Sequence, residues 1–316
     1  MGWFRLHGDI KALTVSKVLA VLGPTCTGKS ECALWLAREV GGEIVNADSM
    51  QVYKHFDIGS AKPDLAARQE VPHHLIDIVE PEEEFNGALF KEAADRAIQA
   101  IWLKEKVPIV VGGTGLYLRI LFHGLFAAEG DAAMREKLKG RFQEDPASVY
   151  EELKRIDAEY ASKISPNDRI RVVRALEIYY ASGMTMSQWQ RTHDFKQQRY
   201  KVYKIGLRKE RVGLYERINR RVNNMLEAGW VEEVKALLKA GYSSDVKPFL
   251  SIGYRDIVLY LSSVLSYAEM VVKIKQETRH YAKRQITWFA KEKDIEWFEY
   301  PEEKNLIKEE VRLFLQ

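Results

Sequence analysis

The chain has 316 residues, 46% of them hydrophobic, enough to bury a large core as one large domain or two smaller ones. No apolar run approaches the roughly 20 residues that span a bilayer. Residues 1–11 lack the apolar stretch and cleavage site of a leader, Leu6 breaks a myristoylation signal, and Cys26 and Cys32 form neither a disulfide framework nor a zinc spacing, so a soluble cytoplasmic protein is expected. The net charge of +3 is uneven: residues 1–126 carry 13 basic and 16 acidic side chains and the remainder 35 and 29, which permits a polyanionic partner for the C-terminal part without demanding one.

The first candidate strand, 18–23, runs into Gly23-Pro24-Thr25-Cys26-Thr27-Gly28-Lys29-Ser30, which fits the GxxxxGK[ST] pattern and opens a helix. A strand before and a helix after are what the pattern needs if backbone N–H groups and a helix N-terminus are to cradle phosphate oxygens. Lys29 then serves as a point charge on the terminal phosphate and the Ser30 hydroxyl as a ligand to Mg²⁺. Cys26 is read as a tolerated small residue, since nothing nearby resembles a resolving thiol. Ala33, Leu36, Ala37 and Val40 follow at helical spacing and pack one face on the sheet.

The second strand, 43–47, leads to Asp48, at the strand end where open parallel sheets present ligands. Asp48 is read as a general base or metal ligand, or as the cap of the turn that follows. Phe90, Ala94, Ala97, Ile98 and Ile101 mark a further helix, and strand 108–112 ends in Gly112-Gly113-Thr114, either a second phosphate-facing turn or an ordinary one. The pattern is an α/β domain on a parallel sheet. Neither a guanine-reading NKxD nor an Asp-Glu strand end is present.

From 127 to 187 the strand signal disappears, and 132–143, 147–164 and 168–183 read as charged helices, the last bounded by the cap in Ser165-Pro166-Asn167-Asp168 and by Gly183. This is a helical insertion, with 1–126 and 188–316 forming the core. A strand over 200–209 returns the chain to the sheet before two long helices at 210–240 and 268–293. On the first, Arg217, Arg220 and Arg221 lie opposite Leu214, Ile218, Val222 and Met225; on the second, Lys275, Arg279 and Lys283 form a basic stripe flanked by Lys273 and Arg284. Such stripes are commonly solvated faces, and Trp288 and Phe289 are read as core before base-stacking platforms.

Taken together, GPTCTGKS, NADSMQVYKHFDIGSAKP, PHHLIDIVEP, VVGGTGLYLRILFHGL, SPNDRIRVVRALEIY, YERINRRVNNMLEAGWVEEV, SIGYRDI and YAKRQITWF, in that order, resemble the tRNA dimethylallyltransferase (tRNA isopentenyltransferase) family over nearly the whole chain. The resemblance implies a phosphate-loop α/β fold and transfer of a dimethylallyl group from dimethylallyl diphosphate to N6 of adenosine 37, beside the anticodon, in tRNAs reading codons that begin with U, with Mg²⁺. It implies residues 23–30 as the diphosphate cradle, Asp48 as the base, Thr114 beside the reacting centre, and Arg217, with Lys29, against the charge on the departing diphosphate. It also implies contacts to the anticodon stem-loop from Asp48, Ser49, Met50 and Gln51; from Thr114 and Arg135; and from Ile170, Arg171, Val172, Val173 and Arg174. Two further stretches are implied in the same way: Leu250, Ser251, Ile252, Gly253, Tyr254 and Arg255; and Lys283, Arg284, Gln285, Ile286, Thr287, Trp288, Phe289 and Ala290. The two early cysteines cannot supply the zinc module that eukaryotic relatives often append, so the chain resembles the bacterial type and is expected to act as a monomer. An adenylate isopentenyltransferase, a small-molecule kinase and an RNA-binding protein with a relic loop are the alternative readings.

Overall fold

The computed structural model describes residues 17–125, 130–193 and 198–316. The N-terminal stretch read for leader and acylation signals, and the expected 126/127 boundary, lie outside these residues. The chain forms two compact units, one of residues 1–122 and 199–316, the other of residues 123–198.

In chain order the first unit begins with β1 (Lys17–Leu22), α1 (Lys29–Val40), β2 (Glu43–Asn46), α2 (Leu65–Glu70), β3 (His73–His74), α3 (Gly87–Leu103), β4 (Pro108–Gly112) and α4 (Gly115–His123). The second holds α5 (Ala132–Glu144), α6 (Pro146–Ile156), α7 (Ala158–Ala161), α8 (Arg169–Ser182) and α9 (Met186–His193). The first then resumes with β5 (Lys201–Arg208), α10 (Arg211–Glu227), α11 (Trp230–Lys239), a 3₁₀ turn at Lys247–Leu250, α12 (Tyr254–Leu261), α13 (Tyr267–Phe289), β6 (Ile295–Glu299) and α14 (Lys304–Leu315).

The six strands are all parallel, in the order β3-β2-β4-β1-β5-β6. β1 lies in the interior, in register with β4 (Leu19 opposite Ile109) and β5 (Leu19 opposite Tyr203). A parallel strand covered on both faces needs apolar side chains on both, and β1 supplies them. Val18, Ala20 and Leu22 join Phe90, Ile98, Leu121 and Phe289 on one face; Leu19 and Val21 join Leu36, Phe298 and Ile307 on the other. The loops after β1, β2 and β4 therefore leave the same end of the sheet, the end at which open α/β sheets bind ligands.

Helix boundaries differ from expectation where one residue interrupts the backbone. The segment 147–164 is two helices because Asp157, at φ −142°, ends α6 and caps α7 through Tyr160 N at 3.0 Å. Its carboxylate also binds Ser187 N at 2.8 Å and Ser187 Oγ at 2.6 Å, tying α9 into the insertion, which consequently runs to residue 198 and not 187. The segment 210–240 breaks at Gly229, whose φ of 96° no L side chain adopts easily. The insertion has its own core of Leu138, Phe142, Leu153, Val172, Val173 and Leu176.

Candidate active site

The loops after β1, β2 and β4 converge on a cavity of about 90 Å³ lined by Thr25, Lys29, Ser30, Asp48, Gly112 and Gly113. In the first loop Thr27 Oγ1 donates to the carbonyl of Pro24 at 3.0 Å and Lys29 Nζ, from the first turn of α1, to the same oxygen at 2.7 Å. The loop is thus wrapped around its own lysine. Burial and the neighbouring Arg221 cation lower the Lys29 ammonium to about 8. Cys26 sits in the left-handed region at φ 66°, its sulfur 3.9 Å from Arg221 Nη1.

The two readings of Asp48 belong to its two oxygens. Oδ1 accepts from Met50 N at 2.8 Å and Gln51 N at 3.4 Å and closes the turn. Oδ2 takes no protein donor among the described residues, and Asp48 lines the cavity. After β4, Thr114 Oγ1 accepts from Ser49 N at 3.2 Å, joining the third loop to the second, and Tyr281 on α13 lines the cavity facing Thr114.

A wider cavity of about 370 Å³ adjoins the first. The two share Thr25, Asp48, Ser60, Arg221 and Tyr281, and the wider one adds Met50, Ile218, Val222, Met225, Trp230, Leu250 and Ile252 as apolar wall. A third, open groove holds Arg217 and Arg220 together with Arg221. Of Arg217, Arg220 and Arg221 on α10, only Arg221 borders all three spaces; Arg217, singled out from the sequence, lines the open groove one turn before it.

The residues expected to meet RNA divide by burial. Ser49, Met50, Leu250, Ser251, Ile252 and Arg284 line the wider cavity, and Lys283, Ile286, Thr287 and Ala290 are exposed on α13. Gln51 Nε2 instead donates to the carbonyls of Ser60 and Ala61, each at 3.1 Å. Tyr254 is buried although it reaches the cavity wall; its hydroxyl donates to Glu233 at 2.6 Å and accepts from Gly59 N at 3.1 Å. Gly253 is covered by the Trp230 indole.

Phe289 is core, and Trp288 packs on Gly115 while the Arg119 guanidinium stacks over its ring at 4.4 Å, so neither is a free platform. Gln285 is buried, bonded to two loops of the site. Arg255 is half-exposed at the start of α12.

In the insertion, Val172 and Val173 are buried in its core, where no RNA can touch them, whereas Ile170 and Arg171 on the same helix are exposed. Arg135 and Arg174 both bind the buried Glu177, at 2.9 and 2.8 Å. Burial pushes that carboxyl up, and the two guanidinium groups overcome it and hold it below the usual range.

The sequence profile described as IPP transferase matches residues 51–292, and one described as isopentenyl transferase matches residues 16–77. The chain belongs to the IPP transferase family. It is 47% identical to tRNA dimethylallyltransferase 1 of Pelobacter propionicus over 291 residues, 90% of this chain and 93% of that one. It is 42% identical to the tRNA dimethylallyltransferase of Halothermothrix orenii over 286 residues, covering 90% and 87%. Among solved structures, the tRNA isopentenylpyrophosphate transferase of Bacillus halodurans superimposes with a TM-score of 0.71 at 35% identity, over 95% of this chain and 97% of that one. A eukaryotic dimethylallyltransferase captured acting on tRNA gives 0.72 at 32% identity, over 87% and 70%. Among the described residues no helix is long and apolar enough to cross a membrane.

Proposed function

We propose that this chain transfers a dimethylallyl group from dimethylallyl diphosphate to N6 of the adenosine beside the anticodon of tRNA. The observation that carries the reading is the seam between the cavities. A narrow polar space, cut to hold phosphate oxygens, meets a wider apolar one at Asp48, Thr25, Arg221 and Tyr281. A diphosphate and a flat purine with a five-carbon chain between them need those two chemistries side by side.

In this arrangement the allylic C–O bond breaks with its electron pair leaving on the diphosphate. Loop N–H groups, Lys29 and Arg221 face the charge that develops there, which is where preorganised donors act most strongly. The N6 lone pair forms the new C–N bond, and the proton released goes to Asp48 Oδ2, the oxygen left unbonded by the turn. The acceptor base must leave its stack to reach this depth, and single-stranded RNA loops allow that.

A Mg²⁺ fits the donor set in outline. The Ser30 hydroxyl lines the narrow cavity and is the side chain that would hold such an ion. Bound with the donor's own oxygens and water, such an ion would neutralise charge on the leaving diphosphate.

Incubation with labelled dimethylallyl diphosphate and an unmodified anticodon stem-loop tests the reading. The expected result is one added five-carbon unit on the loop adenosine and none on free AMP. Label on AMP alone, or phosphate release from ATP with no labelled RNA, would overturn it.

A further inference from the structure

We propose that Gln285, on α13, is a positioning residue for the transfer step. Its side-chain amide sets the mouth of the phosphate loop against the turn that carries Thr114. The inference rests on the reaction proposed above and adds to it a role for a residue that sequence resemblance assigns to RNA contact.

Gln285 is only 6% exposed and lies in the wall of the narrow cavity, with both polar atoms of its amide taken by backbone groups. Its Oε1 accepts the backbone N–H of Thr25 at 2.9 Å and its Nε2 donates to the carbonyl of Gly113, also at 2.9 Å. One planar group therefore joins the loops after β1 and β4, and among the described residues no backbone hydrogen bond between those two loops does the same work. The fit is close: a Cβ built on Gly113 would lie 2.2 Å from Nε2.

One turn earlier on the same helix, Tyr281 lines the same cavity and faces Thr114, which accepts from Ser49 beside Asp48. The inward face of α13 thus binds the first and third loops of the narrow cavity through Gln285, and Thr114 joins the third to the second, while Lys283, Ile286 and Thr287 of the same helix lie exposed. Because reacting atoms must sit within a fraction of an ångström of their productive positions, a shift of about 1 Å between these loops can lower turnover ~100-fold. The ionisable groups that line the narrow cavity with the amide are Lys29 on α1, Asp48 after β2, His73 on β3, Arg221 on α10 and Tyr281 on α13 itself, and Arg284 of α13 lines the adjoining one.

Two variants test this. Gln285→Met keeps length and volume and removes both bonds. Its kcat at saturating donor and RNA should fall ~10-fold to ~100-fold, with RNA affinity in a direct binding assay within about 3-fold of wild type. Gln285→Glu is the sharper probe. Protonated, its carboxyl reproduces both bonds; ionised, it still accepts from Thr25 but faces the Gly113 carbonyl with a second acceptor.

The ratio of Q285E to wild-type kcat should therefore climb as pH is lowered from 8.5 to 6, a dependence that loss of packing alone would not produce. With wild-type transfer present in the same assay, an unchanged kcat in Q285M, a flat Q285E ratio, or RNA affinity lost at intact kcat overturns the role of Gln285. Absence of wild-type transfer overturns the reaction on which it rests. Should Q285M not fold, the pH profile of Q285E decides alone.

Discussion

Arg221 on α10 and Lys29 on α1 line one narrow cavity, and the arginine's charge helps to lower the lysine's pKa to about 8. Asp48 lines the same cavity and partly offsets this effect, but burial and the second cation outweigh it. The protonated fraction of Lys29 falls as pH rises through 8, so donor capture should weaken over the same interval. The pH profile of kcat/KM for the diphosphate, which reports the free protein, is expected to bend downward near 8. In Arg221→Ala, with the repelling charge gone, the bend should move to higher pH. A profile flat from pH 7 to 9 would remove Lys29 from the donor site.

Truncating arginines on α10 should rank them by their place along the helix. Arg221→Ala is expected to lower kcat/KM by roughly 100-fold to 1000-fold, the range seen when a preorganised donor to a developing anion is deleted. Arg217→Ala, one turn out in the open groove, should have a smaller effect, and Arg220→Ala the smallest. Steady-state kinetics on the three variants checks the order, and equal losses at 217 and 221 would contradict it.

That ranking was within reach of the sequence. At 100° per residue, Arg221 falls about 55° from the centre of the stripe made by Leu214, Ile218, Val222 and Met225, Arg217 about 95° and Arg220 about 155°. Only the first is close enough to the buried side to face the site. The strands β1, β2 and β4 were legible because central parallel strands are continuous apolar runs. Two others were not: β3 is two histidines long, and in β6 only Phe298 of Ile295–Glu299 is buried, so neither leaves a pattern. The motif residues Lys29, Ser30 and Asp48 line one cavity, since each follows a strand end. Val172, Val173 and Gln285 look from sequence like members of contact runs, and only the direction each side chain faces reveals them as packing or positioning groups.

Asp48→Asn should separate chemistry from architecture. Asn retains the Oδ1 acceptor that binds Met50 N at 2.8 Å and loses the basicity of the second oxygen. Turnover is expected to fall by roughly 10²-fold to 10⁴-fold, the usual contribution of a positioned base, while donor affinity measured by calorimetry stays within about 3-fold. Loss of donor binding in parallel with turnover would instead assign Asp48 to holding a metal ion.

Away from the site, the buried Glu43 at the start of β2 accepts from His74 at 2.8 Å, Lys104 at 3.0 Å and Lys106 at 3.0 Å. Burial raises its pKa, and these three donors more than offset it, giving about 2. A carboxylate depressed on folding stabilises the fold above its unfolded pKa of about 4.3 and loses that contribution as pH falls through the folded value. Glu43→Gln should therefore be less stable than wild type by about 1–3 kcal/mol at pH 7. The gap should narrow below about pH 4.3, read from urea midpoints at pH 7 and pH 3.5. A gap that widens in acid would mean that the ion cluster contributes nothing to the fold.

Gly115 opens α4 directly beneath the indole of Trp288, and a Cβ built there would lie 2.2 Å from its Nε1. The ring cannot retreat, because the Arg119 guanidinium stacks over it at 4.4 Å and is itself paired with Glu292. Gly115→Ala should thus force overpacking and cost about 1–3 kcal/mol of stability, with a blue or red shift in Trp288 emission relative to a Trp288→Phe background as the local signature. Trp288→Phe, which relieves the contact, should restore most of that loss in the double variant. If the two substitutions add instead of compensating, the indole is not wedged on Gly115 and is free to serve another surface, RNA included.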